Sequence, residues 1–217
     1  MVEVLRDNLG ALWGGIATTL AITVAAFVGA LLIGVLVAVF RVSPIPPLRV
    51  LGAVYVELFR NVPLLSLLIL TAYGLPYVGV DLSLFTTAVV CLTLVSASFA
   101  CEAVRAGING VPVGQAEAAR AIGMTFGQSL STVILPQALR TMVQPLVNIF
   151  IGIALGSSLA GAVGVPELTN RTQVLNLQSA EAVVLFLVSG AIYLAVALLG
   201  GAAGGALERR VSGGRAR

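Results

Sequence analysis

Residues 11–40 read ALWGGIATTLAITVAAFVGALLIGVLVAVF, thirty consecutive positions without a charged side chain. At about 1.5 Å rise per residue this run makes a helix of about 45 Å, longer than the roughly 30 Å hydrocarbon core of a bilayer, so it tilts or extends beyond the lipid. A helix is the spanning form expected for such a run, because no water inside a bilayer satisfies unpaired peptide groups. Its apolar length exceeds the ~7–15 residues of a secretory leader core. The acids Glu3 and Asp7 precede it, and it reads as a permanent span. Further uncharged runs lie at residues 84–101, 142–165 and 182–207. A fifth candidate, residues 50–80, holds Glu57, Arg60, Asn61 and Pro63, which leaves its limits open. Composition agrees, with 59% hydrophobic residues, 10% charged residues and a mean hydropathy of +1.06. The sequence predicts an all-α membrane protein of five transmembrane helices, one domain over residues 1–217, with a disordered Gly/Arg tail at 211–217.

Every basic residue is arginine, and basic residues in short loops favour the cytoplasmic side. With five spans, Arg41, Arg49, Arg120, Arg140, Arg209, Arg210, Arg215 and Arg217 fall at one face and only Arg6 and Arg171 at the other. The expected orientation places the N-terminus outside and the C-terminus inside. The net charge of +3 then reflects membrane topology and points to lipid, not nucleic acid, as the surrounding partner.

Absent residue types narrow the chemistry. Without histidine the chain builds no Ser-His-Asp triad and no H-E-x-x-H zinc site, and without lysine no G-x-x-x-x-G-K-[ST] phosphate loop. Cys91 and Cys101 are separated by a ~15 Å helical rise, too far for a mutual disulfide, and no spacing resembles a metal site. A non-enzymatic membrane protein with no cofactor of its own is expected, and if ATP powers it, another subunit binds the nucleotide. A channel or assembly scaffold is the competing class. Channels need polar or charged rings along a pore, whereas the intramembrane polar residues here are scattered.

The one extended polar stretch between spans, residues 107–140, carries an organised pattern. Pro112 precedes helix formers at 115–122, and Gly123 supplies a left-handed turn. A second helix is predicted over 126–135, with Pro136 near the membrane boundary. Two short helices meeting at a glycine present a compact knob. Glu117-Ala118-Ala119, Gly123 and Leu135-Pro136 resemble the cytoplasmic signature of the permease subunits of ATP-driven (ABC) importers. The competing reading is an ordinary amphipathic hairpin. The resemblance implies a type I ABC importer fold in which this coupling loop, between helices 3 and 4, inserts into a groove on a separate ATPase. Glu117, Ala118, Ala119, Gly123, Leu135 and Pro136 would be the coupling residues, with Glu117 anchoring the loop by hydrogen bonds.

The resemblance narrows along the chain. Residues 55–65, YVELFRNVPLL, are similar to the second-span signature of polar amino-acid permeases. Glu102, Arg105 and Gly107 resemble that family's third-span ending, and 164–168, GVPEL, its fourth-span exit. The branch resembled transports histidine, glutamine, glutamate or arginine, and the glutamate systems are the most similar. It implies a bacterial plasma-membrane importer with a solute-binding protein, which would meet residues 165–181, and a second permease subunit as homodimer or heterodimer. Many relatives carry a Lys-Asp-Thr-Ser-like stretch where this chain has Leu155-Gly156-Ser157-Ser158. Loss of the acid argues against a cationic solute and leaves room for a bulkier or anionic one. The same change is also what a subunit would show if its sister alone bound solute. Glutamine or another neutral polar amino acid is the alternative to glutamate.

Candidate path residues follow from the cost of ionisable groups in lipid. Arg60 stands about 16 Å along a helix from Arg49, near the midplane if Arg49 marks the inner surface, where it would clamp a carboxylate. Alternatively Pro63 starts the span, and Glu57 and Arg60 form a surface ion pair. Asn148, Ser157 and Ser158 either line the path or belong to a small-residue packing seam with Gly152, Gly156 and Gly161. Glu102 and Arg105 are expected to form an ion pair that holds the coupling loop. Gly200, Gly201, Gly204 and Gly205 are expected to pack against another helix.

Overall fold

The computed structural model describes residues 6–212. They fold into a helical bundle whose core mixes alanines with Ile and Leu. Helix α1 spans Leu9–Val42, α2 Pro46–Asn61, α3 Leu64–Ile69 and α4 Leu84–Asn109. The segment between α4 and the next span contains α5, Val113–Ala121, and α6, Phe126–Gln128. Helix α7 spans Leu135–Gly156, α8 Leu168–Ser179 and α9 Ala182–Ser212. Of the expected tail, Val211 and Ser212 continue α9, and residues 213–217 lie outside the described residues.

Four helices are long and apolar enough to cross a membrane: Leu9–Val42, Leu84–Asn109, Phe126–Val163 and Ala182–Arg210. A bent pair, Pro46–Asn61 and Leu64–Val78, meeting at 98°, is apolar enough only when taken together, as a broken span or a re-entrant loop. The segment at residues 50–80, whose limits the sequence left open, consists of two arms. Pro63 forces the break, since its ring disfavours the helical conformation at the preceding residue, and Val62 is extended at φ −81°, ψ 127°. Beyond the break, α3 widens into a π turn at Leu70–Gly74 and tightens into a 3-10 turn at Leu75–Val78, which Gly79 ends at φ 79°.

The coupling segment departs from expectation in the same way. Residues 126–135 are no separate helix: a π turn, Ser129–Ile134, carries the chain directly into α7. Both π turns end just before a Leu-Pro pair, Leu75-Pro76 and Leu135-Pro136. A proline donates no N–H and crowds the carbonyl four residues back, and a locally wider turn absorbs both defects without stopping the helix.

Helices α1 and α4 pack along much of their length because glycines let the backbones approach. A Cβ on Gly29 would stand 2.8 Å from Thr93 Cγ2, and one on Gly34 2.6 Å from Ala100 Cβ. In α9 a Cβ on Gly204 would collide with Val147 of α7 and one on Gly200 would stand 3.4 Å from Ile151 Cγ1, which is the expected packing role, whereas Gly201 meets nothing within 4 Å and Gly205 only Arg209 of its own helix. Residues Ile22, Ala26, Leu68, Ala88, Leu92 and Ile153 form the centre of the core. At one end of the bundle lie the start of α1, helix α8 and the start of α9. At the other lie Arg41, the α4–α7 knob and the last turns of α9.

Candidate functional site

Three groups of the sequence-selected residues occupy three different places. The first is the knob. Met124 N–H donates to Ala119 O at 3.1 Å and Gly123 N–H to Arg120 O at 3.0 Å, with Gly123 at φ 83°. This six-to-one and five-to-two pair is the Schellman ending of α5, which places glycine where a left-handed residue is required. Thr125 then starts the next helix through a reciprocal capping box with Gln128. Two caps back to back fix the turn. Glu117 and Ala118 face outward, whereas Ala119 is buried beneath them. The hydrogen-bond anchoring expected of Glu117 is not formed: no hydrogen bond or ion pair holds it among the described residues, so its carboxylate is free for a partner. Leu135 is half-buried and Pro136 exposed, both at the junction of the π turn and α7.

Flanking the turn, Ile122 is 79% and Phe126 80% exposed, two apolar tips that composition and spacing did not single out. They belong to a surface that solvent alone would not favour.

The second group ties the knob's leading strut to the bundle. Glu102 Oε1 is 3.0 Å from Arg105 Nη1 and 3.3 Å from Arg41 Nη1. One carboxylate thus links α4 to the end of α1. Arg41 carried a signal in the sequence only as a basic residue at the inner face, since spacing along the chain does not tell which distant arginine reaches Glu102.

The third group surrounds a cavity of about 360 Å³ between α3, α4 and α7, lined by Leu64, Ser96, Phe99, Asn148 and Gly152 among others. Asn148 opens onto it. The Arg60 guanidinium lies 5.4 Å from the centre of the Phe99 ring, within cation–π range. The alternative Glu57–Arg60 ion pair is absent among the described residues: Glu57 instead accepts a long 3.4 Å bond from Asn61 Nδ2. Ser157 and Ser158 are not among the lining residues. Ser157 Oγ donates to Ala154 O at 2.7 Å and Ser158 Oγ to Leu155 O at 2.6 Å, so both hydroxyls are held by their own helix. Beside Gly156, a Cβ would stand in ordinary van der Waals contact with Leu92 Cδ2 at 3.4 Å and Leu64 Cδ2 at 3.5 Å. Among the described residues no group of three or more His, Cys, Asp or Glu side chains is placed to hold a metal ion.

These features have counterparts in known proteins. Residues 30–213 match the family of binding-protein-dependent transport system inner membrane components. The "Probable glutamine ABC transporter permease protein GlnM" of Bacillus subtilis is 39% identical over 197 residues, covering 91% of this chain and 88% of its own. The "Glutamate transport system permease protein GluC" of Corynebacterium glutamicum is 35% identical over 162 residues, 69% of this chain and 71% of its own. A solved structure described as an amino acid ABC transporter with histidines superposes with a TM-score of 0.90 at 30% identity, over 95% of this chain and 96% of that one. The channel and scaffold readings give way to this match. The chain belongs to the binding-protein-dependent inner-membrane transport components, as a multi-pass, non-enzymatic permease subunit of a bacterial amino-acid ABC importer with the type I fold.

Proposed function

We propose that this permease imports glutamate, from a solute-binding protein outside the cell, with the knob on the cytoplasmic side and the N-terminus outside. The observation that carries the choice of solute is Arg60: a guanidinium with no carboxylate partner among the described residues, not itself lining the cavity but stacked on Phe99, which lines it together with Asn148. An unpaired arginine near a largely apolar cavity is suited to bidentate capture of a carboxylate. Glu117, Ala118 and the tips of Ile122 and Phe126 form the docking face for an ATPase that binds ATP and magnesium. Ala119, Gly123, Leu135 and Pro136 keep that face in shape, and Glu102 with Arg41 and Arg105 braces it. Ser157 and Ser158 act as packing groups behind the path. A second permease subunit, identical or related, completes the pathway, because five crossings enclose little space.

Glutamine is the second reading, favoured by the neutral amide of Asn148 in the cavity and by the glutamine transport named for the Bacillus subtilis relative. Uptake of labelled glutamate, glutamine and arginine by vesicles containing the assembled complex tests both. Glutamate accumulation that excess glutamine fails to suppress supports the first reading, and the reverse pattern supports the second. Arginine accumulation contradicts both.

A further inference from the structure

Glu167 is the one fully buried charged residue among those described, at 0% exposure, and none of the three groups above uses it. It stands just before α8, where Oε2 accepts Thr169 N–H at 2.8 Å and Oε1 accepts Asn170 N–H at 2.7 Å. Capping alone does not explain a glutamate here, since Ser, Thr, Asn or Asp caps a helix without burying a longer charged chain. Its third donor comes from elsewhere: Tyr193 O–H of α9 lies 2.6 Å from Oε2, and the same hydroxyl shares a 3.1 Å bond with Thr169 Oγ1. Burial pushes the carboxyl pKa above its ordinary value, against the pull of these donors.

The same joint reaches two more elements. Asn170 Nδ2 donates to Gly161 O at 3.2 Å, in the 3-10 segment Ser157–Val163 that ends α7. A Cβ on Gly161 would stand 2.6 Å from Glu167 Oε1, so any larger residue there would push the carboxylate out of this joint. Leu168 N–H donates to Thr19 Oγ1 of α1 at 3.2 Å, and a Cβ on Gly15 would lie 2.9 Å from Leu168 Cα. One end of α8 is therefore locked to α1, α7 and α9. Farther along α8, Val174 is exposed and Leu177 is 80% exposed.

We propose that Glu167, through Tyr193, makes α8 a rigid lever: the loaded binding protein presses on α8, and the joint passes that load to the 3-10 end of α7 and to α1. Glu167 is then a positioning residue for the transport cycle. This inference rests on the importer reading above, with α8 on the outer side. The distinguishing property is that the joint transmits a signal without forming the docking surface or the solute cavity.

The test uses vesicles containing the full complex with its ATPase, and compares ATP hydrolysis with and without saturating solute-loaded binding protein. In Glu167→Gln, hydrolysis without binding protein stays at the wild-type rate and binding-protein affinity is kept, while stimulation falls by at least about fivefold, the lower range of allosteric coupling. Wild-type stimulation in this variant overturns the proposal. If Glu167→Gln fails to assemble, Tyr193→Phe, which removes one hydroxyl, decides: selective loss of stimulation in a monodisperse complex supports the lever. Full stimulation, or equal loss of basal and stimulated turnover, overturns it. A wild-type complex that the binding protein leaves unstimulated overturns the placement of the binding protein on α8, and the lever with it.

Discussion

At residue scale, Gly123 and Arg60 carry the sharpest expectations. Gly123 adopts φ 83° with open space around it, so alanine there meets no clash but bears the left-handed conformation at about 1–2 kcal/mol. Gly123→Ala is expected to lower ATP-driven uptake while membrane levels stay normal, measured as initial rate per assembled complex. Arg60→Gln is expected to raise the KM for glutamate about tenfold or more, since a charge-assisted bond contributes about 1.5–3 kcal/mol. Unchanged KM at normal expression rejects the clamp. Arg41→Gln leaves Glu102 paired with Arg105, so the expected cost is small, about 1 kcal/mol or less for a partly exposed pair. Its readout is a lower thermal midpoint that Arg41→Lys restores. Glu117 shows the limit of motif reading: its spacing selects it, but only the fold shows that no hydrogen bond or ion pair holds its carboxylate among the described residues.

At the scale of elements, glycine contacts set the spacing of the bundle. Replacing Gly34 by valine drives a branched side chain toward Ala100, and overpacking of this kind costs about 1–3 kcal/mol. Thermal unfolding of the purified protein in detergent should show a lower midpoint for Gly34→Val, and no change would argue against close α1–α4 packing. The long spans were legible because thirty uncharged residues allow few alternatives. The bent pair was half legible: Pro63 announced a break, but the 98° angle depends on how α2 and α3 pack against α4. Leu135-Pro136 was legible only as a boundary, because spacing alone does not show that a π turn lets the helix run on through a proline.

For the whole molecule, the knob was legible because its pieces are local: a proline, a helix, a glycine, a capping threonine. The Arg41–Glu102 link, the Glu167–Tyr193 joint and the cavity at Asn148 join residues far apart in sequence, and one chain's spacing does not encode them. The knob and α8 lie at opposite ends, and in the proposed cycle load enters at α8 and ATP-driven force at the knob. The most direct test of that geometry is ATP-dependent uptake by vesicles containing the complex in which Ala118, exposed and small, is replaced by tryptophan. Uptake should be abolished in a complex that still assembles in the membrane, because the bulky side chain keeps the knob from seating on the ATPase. Uptake at the wild-type rate in the Ala118→Trp complex would contradict the claim that this knob receives the driving force.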